Sequence, residues 1–82
     1  MKTRKTEYGN CNMVGKNIEA LRKRAGIKQK DFVSKMQIMG FNINPTGFSK
    51  LEGQIRMATD KEIFAAAKIL GVSTYTLFND VE

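Results

Sequence analysis

Histidine is absent from this sequence and cysteine occurs once, at Cys11. Those two shortages exclude an intrachain disulfide, a zinc finger and the usual histidine-based acid–base catalysts. No Gly-rich phosphate loop is present, and the remaining nucleophile, Cys11, has no base near it in sequence. No catalytic residue, cofactor or metal is therefore expected, and the chain does not read as an enzyme. Long apolar runs are also missing, since none approaches the ~20 residues that span a bilayer. Met1-Lys2-Thr3-Arg4-Lys5 leads into a polar stretch rather than a signal-peptide core. No membrane association is expected, and a reducing cytoplasm is the expected location. Proline occurs once, at Pro45.

Acidic residues are scarce where the chain begins. Residues 1 to 30 hold nine Lys/Arg against two acids, and the remainder five against six, so the net charge of +6 sits in the N-terminal third. That asymmetry favours a polyanionic partner, most often nucleic acid. The 82 residues suit one small helical domain, with no room for the pocket of a large substrate.

Residues 1–12 carry Lys2, Arg4 and Lys5 and no apolar period, which reads as a flexible basic leader. It is a solvated terminus, or an arm lying along a nucleic-acid backbone or in a minor groove. From Met13 the apolar spacing of Val14, Ile18, Leu21 and Ala25 predicts an amphipathic helix that stops at Gly26. A second helix is predicted from Gln29 with Phe32, Val33 and Met36 inward and Met39 as a further inward candidate, ending at Gly40. It is poorly capped by Lys28, so that a start flanked by Lys28 and Lys30 could receive a phosphate. Phe41 and Ile43 pin the following turn. Asn44 and Pro45 then mark a third helix, 45–52, as N-cap and first helical residue. At about 100° per residue, Phe48, Leu51 and Glu52 share one side and Thr46 and Lys50 point away together. Two helices so joined are a helix-turn-helix candidate. Thr59 and Glu62 predict a capping box for a fourth helix with Ile63, Ala66, Ala67 and Leu70 inward. Ser73 caps a short fifth helix whose Tyr75, Leu77 and Phe78 are expected to complete the core; if exposed, Tyr75 and Phe78 could instead form a dimer seam. Residues 13–79 thus form the all-α domain, and 80–82 an acidic tail.

The pieces Ile18-Glu19-Ala20-Leu21-Arg22 with Gly26-Ile27-Lys28-Gln29, then Ser49-Lys50-Leu51-Glu52, then Ala67-Lys68-Ile69-Leu70-Gly71-Val72-Ser73 and Leu77-Phe78 stand in a telling order. Together they resemble the lambda-repressor/Cro-like, or XRE-type, helix-turn-helix family from about Val14 to Phe78. The resemblance implies a compact five-helix DNA-binding domain whose helices 2 and 3 form the motif. It implies that Gln29 bonds a phosphate and buttresses the next helix, and that helix 45–52 lies in the major groove of double-stranded DNA. Base contact falls on Pro45, Thr46 and Lys50, with Ser49 beside them. It also implies an Arg22–Glu52 pair, for which the wheel gives a separate reason: Glu52 lies on the core side and needs a partner.

The chain departs from the family pattern in three ways. It is several residues longer between Gln29 and Glu52. It reads Glu52-Gly53-Gln54-Ile55-Arg56 where Glu-X-Gly-Lys-Arg is usual, and it has Pro45 where a hydrogen-bonding side chain is usual. Lys28, Gln29, Lys30, Arg56 and Lys61 are the expected phosphate contacts. The expected function is sequence-specific DNA binding by a repressor-like regulator, with a homodimer implied by analogy. The alternative is a protein-interaction module on the same fold, such as the partner-binding half of a toxin–antitoxin pair. Exposed Ile38 or Met39 would support that alternative.

Overall fold

The computed structural model describes residues 11–79; the expected leader before Cys11 and the tail 80–82 lie outside it. Five helices follow one another, α1 (Gly15–Arg24), α2 (Gln29–Ile38), α3 (Pro45–Glu52), α4 (Asp60–Leu70) and α5 (Thr74–Leu77), with no strand among the described residues. The fold class is all-α, as the helical spacing of the apolar residues requires. No helix among the described residues is long and apolar enough to cross a membrane.

A side chain or a turn satisfies free backbone groups at most of the helix ends, the start of α2 excepted. α1 closes through Ala25 and the left-handed Gly26, and its last turn carries Arg22, Lys23 and Arg24 against the negative end of the helix dipole. Lys28 precedes α2 in an extended conformation without capping it, while Asp31 supplies the acid in the first turn. The capping box at α4 is formed in full: Thr59 Oγ accepts from the Glu62 amide at 3.1 Å and the Glu62 carboxylate accepts from the Thr59 amide at 3.0 Å. Ser73 caps α5.

The stripes meet in one core of Val14, Ile18, Phe32, Val33, Met36, Ile43, Phe48, Leu51, Ala65, Ala66, Ala67 and Leu77. α1 and α2 both pack on α3, α4 packs across α1 and α2, and α5 packs on α4. The small side chains Ala65 to Ala67, all buried, let α4 come close. Phe32 of α2 and Phe48 of α3 stack with ring centroids 4.9 Å apart, which joins those two helices at their centre.

Three expectations change. Tyr75 is 75% exposed and Phe78 46%, so of the α5 residues only Leu77 enters the core; a four-residue helix is just over one turn and turns a single side chain inward. Ala25 and Met39 are exposed because α1 has already ended at Arg24 and α2 at Ile38. The third is Asn12, which does not belong to a loose leader. Its side chain and the Cys11 amide beside it are bonded to the exit of α3. Cys11 is exposed, but its amide donates to the Gln54 carbonyl at 3.0 Å.

Candidate nucleic-acid interface

α3 is held on three sides and open on the fourth. At its start, Asn44 is extended and its Oδ1 accepts from the Gly47 amide at 2.7 Å, with Pro45 at the first helical position. Residues 39–44 lead into it. Gln37 Nε2 donates to the Ile43 carbonyl at 2.8 Å, the Phe41 amide bonds the Met36 carbonyl, and Gly40 takes φ 101° at the turn. The length between Gln29 and Glu52 is therefore taken up by a ten-residue α2 and this six-residue connection. Phe48 and Leu51 are buried, and Pro45, Thr46 and Lys50 are exposed, with Ser49 half-buried. The outward pair read from the helical wheel is outward.

The far end of α3 is fixed by a charged network. Arg22 Nε donates to Glu52 Oε2 at 2.7 Å and Nη2 to Oε1 at 3.2 Å, while Nη1 reaches the Ile27 carbonyl at 2.8 Å. Both side chains are nearly excluded from solvent, 8% and 3% exposed. Gln29 Nε2 donates to the same Glu52 Oε1 at 2.7 Å. The last turn of α1, the first residue of α2 and the last residue of α3 thus meet at one carboxylate. The bidentate fork of arginine suits that arrangement. This places Gln29 against α3, with Lys28 and Lys30 exposed on either side of it in sequence.

The remaining phosphate candidates lie elsewhere. Arg56 is engaged: Nη2 and Nη1 donate to Glu62 Oε2 and Oε1 at 2.7 and 3.1 Å, and Nη1 also reaches the Met57 carbonyl. It ties the loop after α3 to the α4 capping box, with 30% of its side chain still exposed. The hydrogen bond to Glu62 raises the Arg56 pKa against the lowering effect of burial. Burial pushes the Glu62 carboxyl up, but the bonds from Arg56 and Thr59 and the charge of Arg56 outweigh it, leaving the group below its ordinary range. Lys61 is exposed in the first turn of α4 beside an open apolar groove of about 620 Å³ lined by Met39, Phe41, Ile63, Phe64 and Phe78. Lys28, Lys30, Lys50 and Lys61 form no ion pair among the described residues.

Four residues that shape the site carry no reading in the sequence. Gly15 lies against α3 so closely that a Cβ there would collide with the Leu51 carbonyl and come within 2.9 Å of the Glu52 carbonyl. Asn17 is buried and its Nδ2 donates to the Leu77 carbonyl at 2.7 Å, joining α1 to α5. Gln54, not Gly53, takes the left-handed conformation after α3, at φ 65°. Asn12, two and three residues ahead of Val14 and Gly15, is the one with a local signal, since Asn at a helix start is a capping residue. No family model matches the chain, and no curated protein or solved structure matches it either.

Proposed function

We propose that the protein binds double-stranded DNA sequence-specifically, as a repressor-like regulator, with α2 and α3 as a helix-turn-helix and α3 in the major groove. The observation that carries the reading is the state of α3. Its core side is anchored by Phe48, Leu51 and the Arg22–Glu52–Gln29 network, while Thr46 and Lys50 are left exposed with no ion pair on Lys50. An eight-residue helix is ~12 Å long, comparable to the ~12 Å width of the major groove. Lys50 suits guanine O6/N7, and the Thr46 hydroxyl or methyl suits a neighbouring base. Lys28 and Lys30 flank a helix start whose N-cap side chain makes no bond, an arrangement that suits phosphate. By analogy with regulators of this type, a dimer on paired half-sites is part of the proposal.

Selection of binding sites from random duplexes tests the reading, since an enriched half-site and its spacing report specificity and symmetry together. On the selected site, Lys50→Ala is expected to lose roughly 1–3 kcal/mol of discrimination at one base pair. Lys28→Ala is expected to weaken all sequences alike and reduce the salt slope by about one. Equal losses by Lys50→Ala on selected and random DNA would refute its base-reading role.

A second reading, a protein-interaction module, is favoured by the apolar groove beside Lys61 and by Ile38, which is 85% exposed at the end of α2. Anisotropy with random duplex at low salt separates the two, because DNA binders retain non-specific affinity there. Absence of binding at micromolar protein favours the interaction module.

A further inference from the structure

Resting on the DNA reading, we infer that Asn12 is a positioning residue for α3, setting how the base-reading side chains are presented. Its Nδ2 donates to the carbonyls of Leu51 at 3.0 Å and Arg56 at 2.7 Å, and its Oδ1 accepts from the amides of Val14 at 3.1 Å and Gly15 at 2.7 Å. Both donor hydrogens and the acceptor of the amide are thereby used. One side chain closes the start of α1 and shares with the Gln54 amide, at 3.1 Å, the Leu51 carbonyl in the last turn of α3. The backbone on either side repeats the attachment. Gln54 Nε2 donates to the Asn12 carbonyl at 3.0 Å, and the Cys11 amide donates to the Gln54 carbonyl at 3.0 Å.

The clamp differs in kind from the Arg22–Glu52–Gln29 network. That network grips α3 through a side chain, which can swing about its own torsions. Asn12 grips the main chain at Leu51, one residue from Lys50, at the place where Gly15 lets α1 touch the same carbonyl. Sliding or rotation of α3 about its axis would break the bond to Leu51 directly, at the main chain. A base-edge contact depends on placement within about 0.5 Å, so the clamp acts on discrimination between sequences more than on phosphate affinity.

Asn12→Ser in the full chain isolates this role, because serine keeps an oxygen that caps α1 but has no amide group to reach the two carbonyls. Affinities for the selected duplex and for random duplex are compared with the wild type at a temperature where circular dichroism shows both proteins folded. The ratio of selected to random affinity is expected to fall about tenfold, roughly the loss of one good base contact, with random-duplex affinity nearly unchanged. Backbone amides of residues 53–56 are expected to exchange faster. A discriminating wild type and an unchanged ratio in Asn12→Ser would overturn the role of Asn12 alone. A wild type with no preference among duplexes would overturn the DNA reading and the specificity role together, and unchanged exchange would overturn the clamp itself. If the serine variant melts too low, Asn12→Thr, uncharged, also keeps a capping oxygen without the two amide donors and is read by the same criteria.

Discussion

Single residues hold this protein at points where two backbones touch. Gly15 is the sharpest case: the helix–helix contact leaves no volume for a methyl group, so α1 would have to lift from α3. Gly15→Ala is expected to cost about 1–3 kcal/mol despite alanine's better helix propensity, because overpacking of this kind outweighs the ~1 kcal/mol propensity gain. Equal thermal midpoints for the two proteins would show that the contact yields cheaply. Gln54 presents a related trade. Its left-handed backbone is unfavourable for a residue with a side chain, yet that same conformation brings Nε2 to the Asn12 carbonyl. Gly53 beside it needs no such freedom, at φ −77°. Gly47 also has a local explanation: a Cβ would lie 3.2 Å from the Asn44 Oδ1 that caps α3, so the cap itself limits the size of the residue there.

At the scale of the helices, the loop from α3 to α4 depends on the ion pair between Arg56 and Glu62, whose carboxylate is also half of the α4 capping box. The sign of its pH dependence follows from the lowered Glu62 pKa. A carboxyl depressed in the folded state adds stability above its unfolded value of about 4.3, and that stability disappears as pH falls through the folded value. Thermal midpoints followed from about pH 6 to about pH 2 should fall less steeply in Glu62→Gln, which cannot titrate, than in the wild type. Parallel curves would assign the acid sensitivity to other groups. The elements themselves were legible in the chain because their signals are local: Asn44-Pro45, Thr59 with Glu62, and Ser73 mark starts, and apolar spacing marks faces. Thr46 and Lys50 were legible for the same reason, being on the side opposite Phe48 and Leu51. Gly15, Asn17 and Gln54 were not, because each acts on a partner at least 36 residues away, and of Asn12 only the helix-start cap is local, its bonds to Leu51 and Arg56 spanning 39 and 44 residues. The Arg56–Glu62 pair was not legible, because nothing in a charge pattern says whether a guanidinium is already bonded. Tyr75 and Phe78 were misread because a helix this short has too few turns to average its apolar residues onto one side.

Over the whole molecule, the Arg22–Glu52–Gln29 centre couples three helices through one buried carboxylate. Removing one partner leaves the other charge buried and unpaired, whereas removing both leaves neither. Arg22→Met and Glu52→Met are therefore expected to cost about 3–5 kcal/mol each, and the double variant less than their sum, measured by denaturant unfolding. Strictly additive losses would mean that the two side chains are not coupled. The bond from Asn17 to Leu77 has a different consequence. It spans 60 residues, and its donor sits in α1 while its acceptor ends α5. Closing a loop of that length carries an entropic penalty of about 3.6 kcal/mol beyond a constant, on the order of (3/2)RT ln n. On a ribosome the buried amide of Asn17 is made 60 residues before its acceptor, so the completed packing of α1 must wait until α5 has left the exit tunnel.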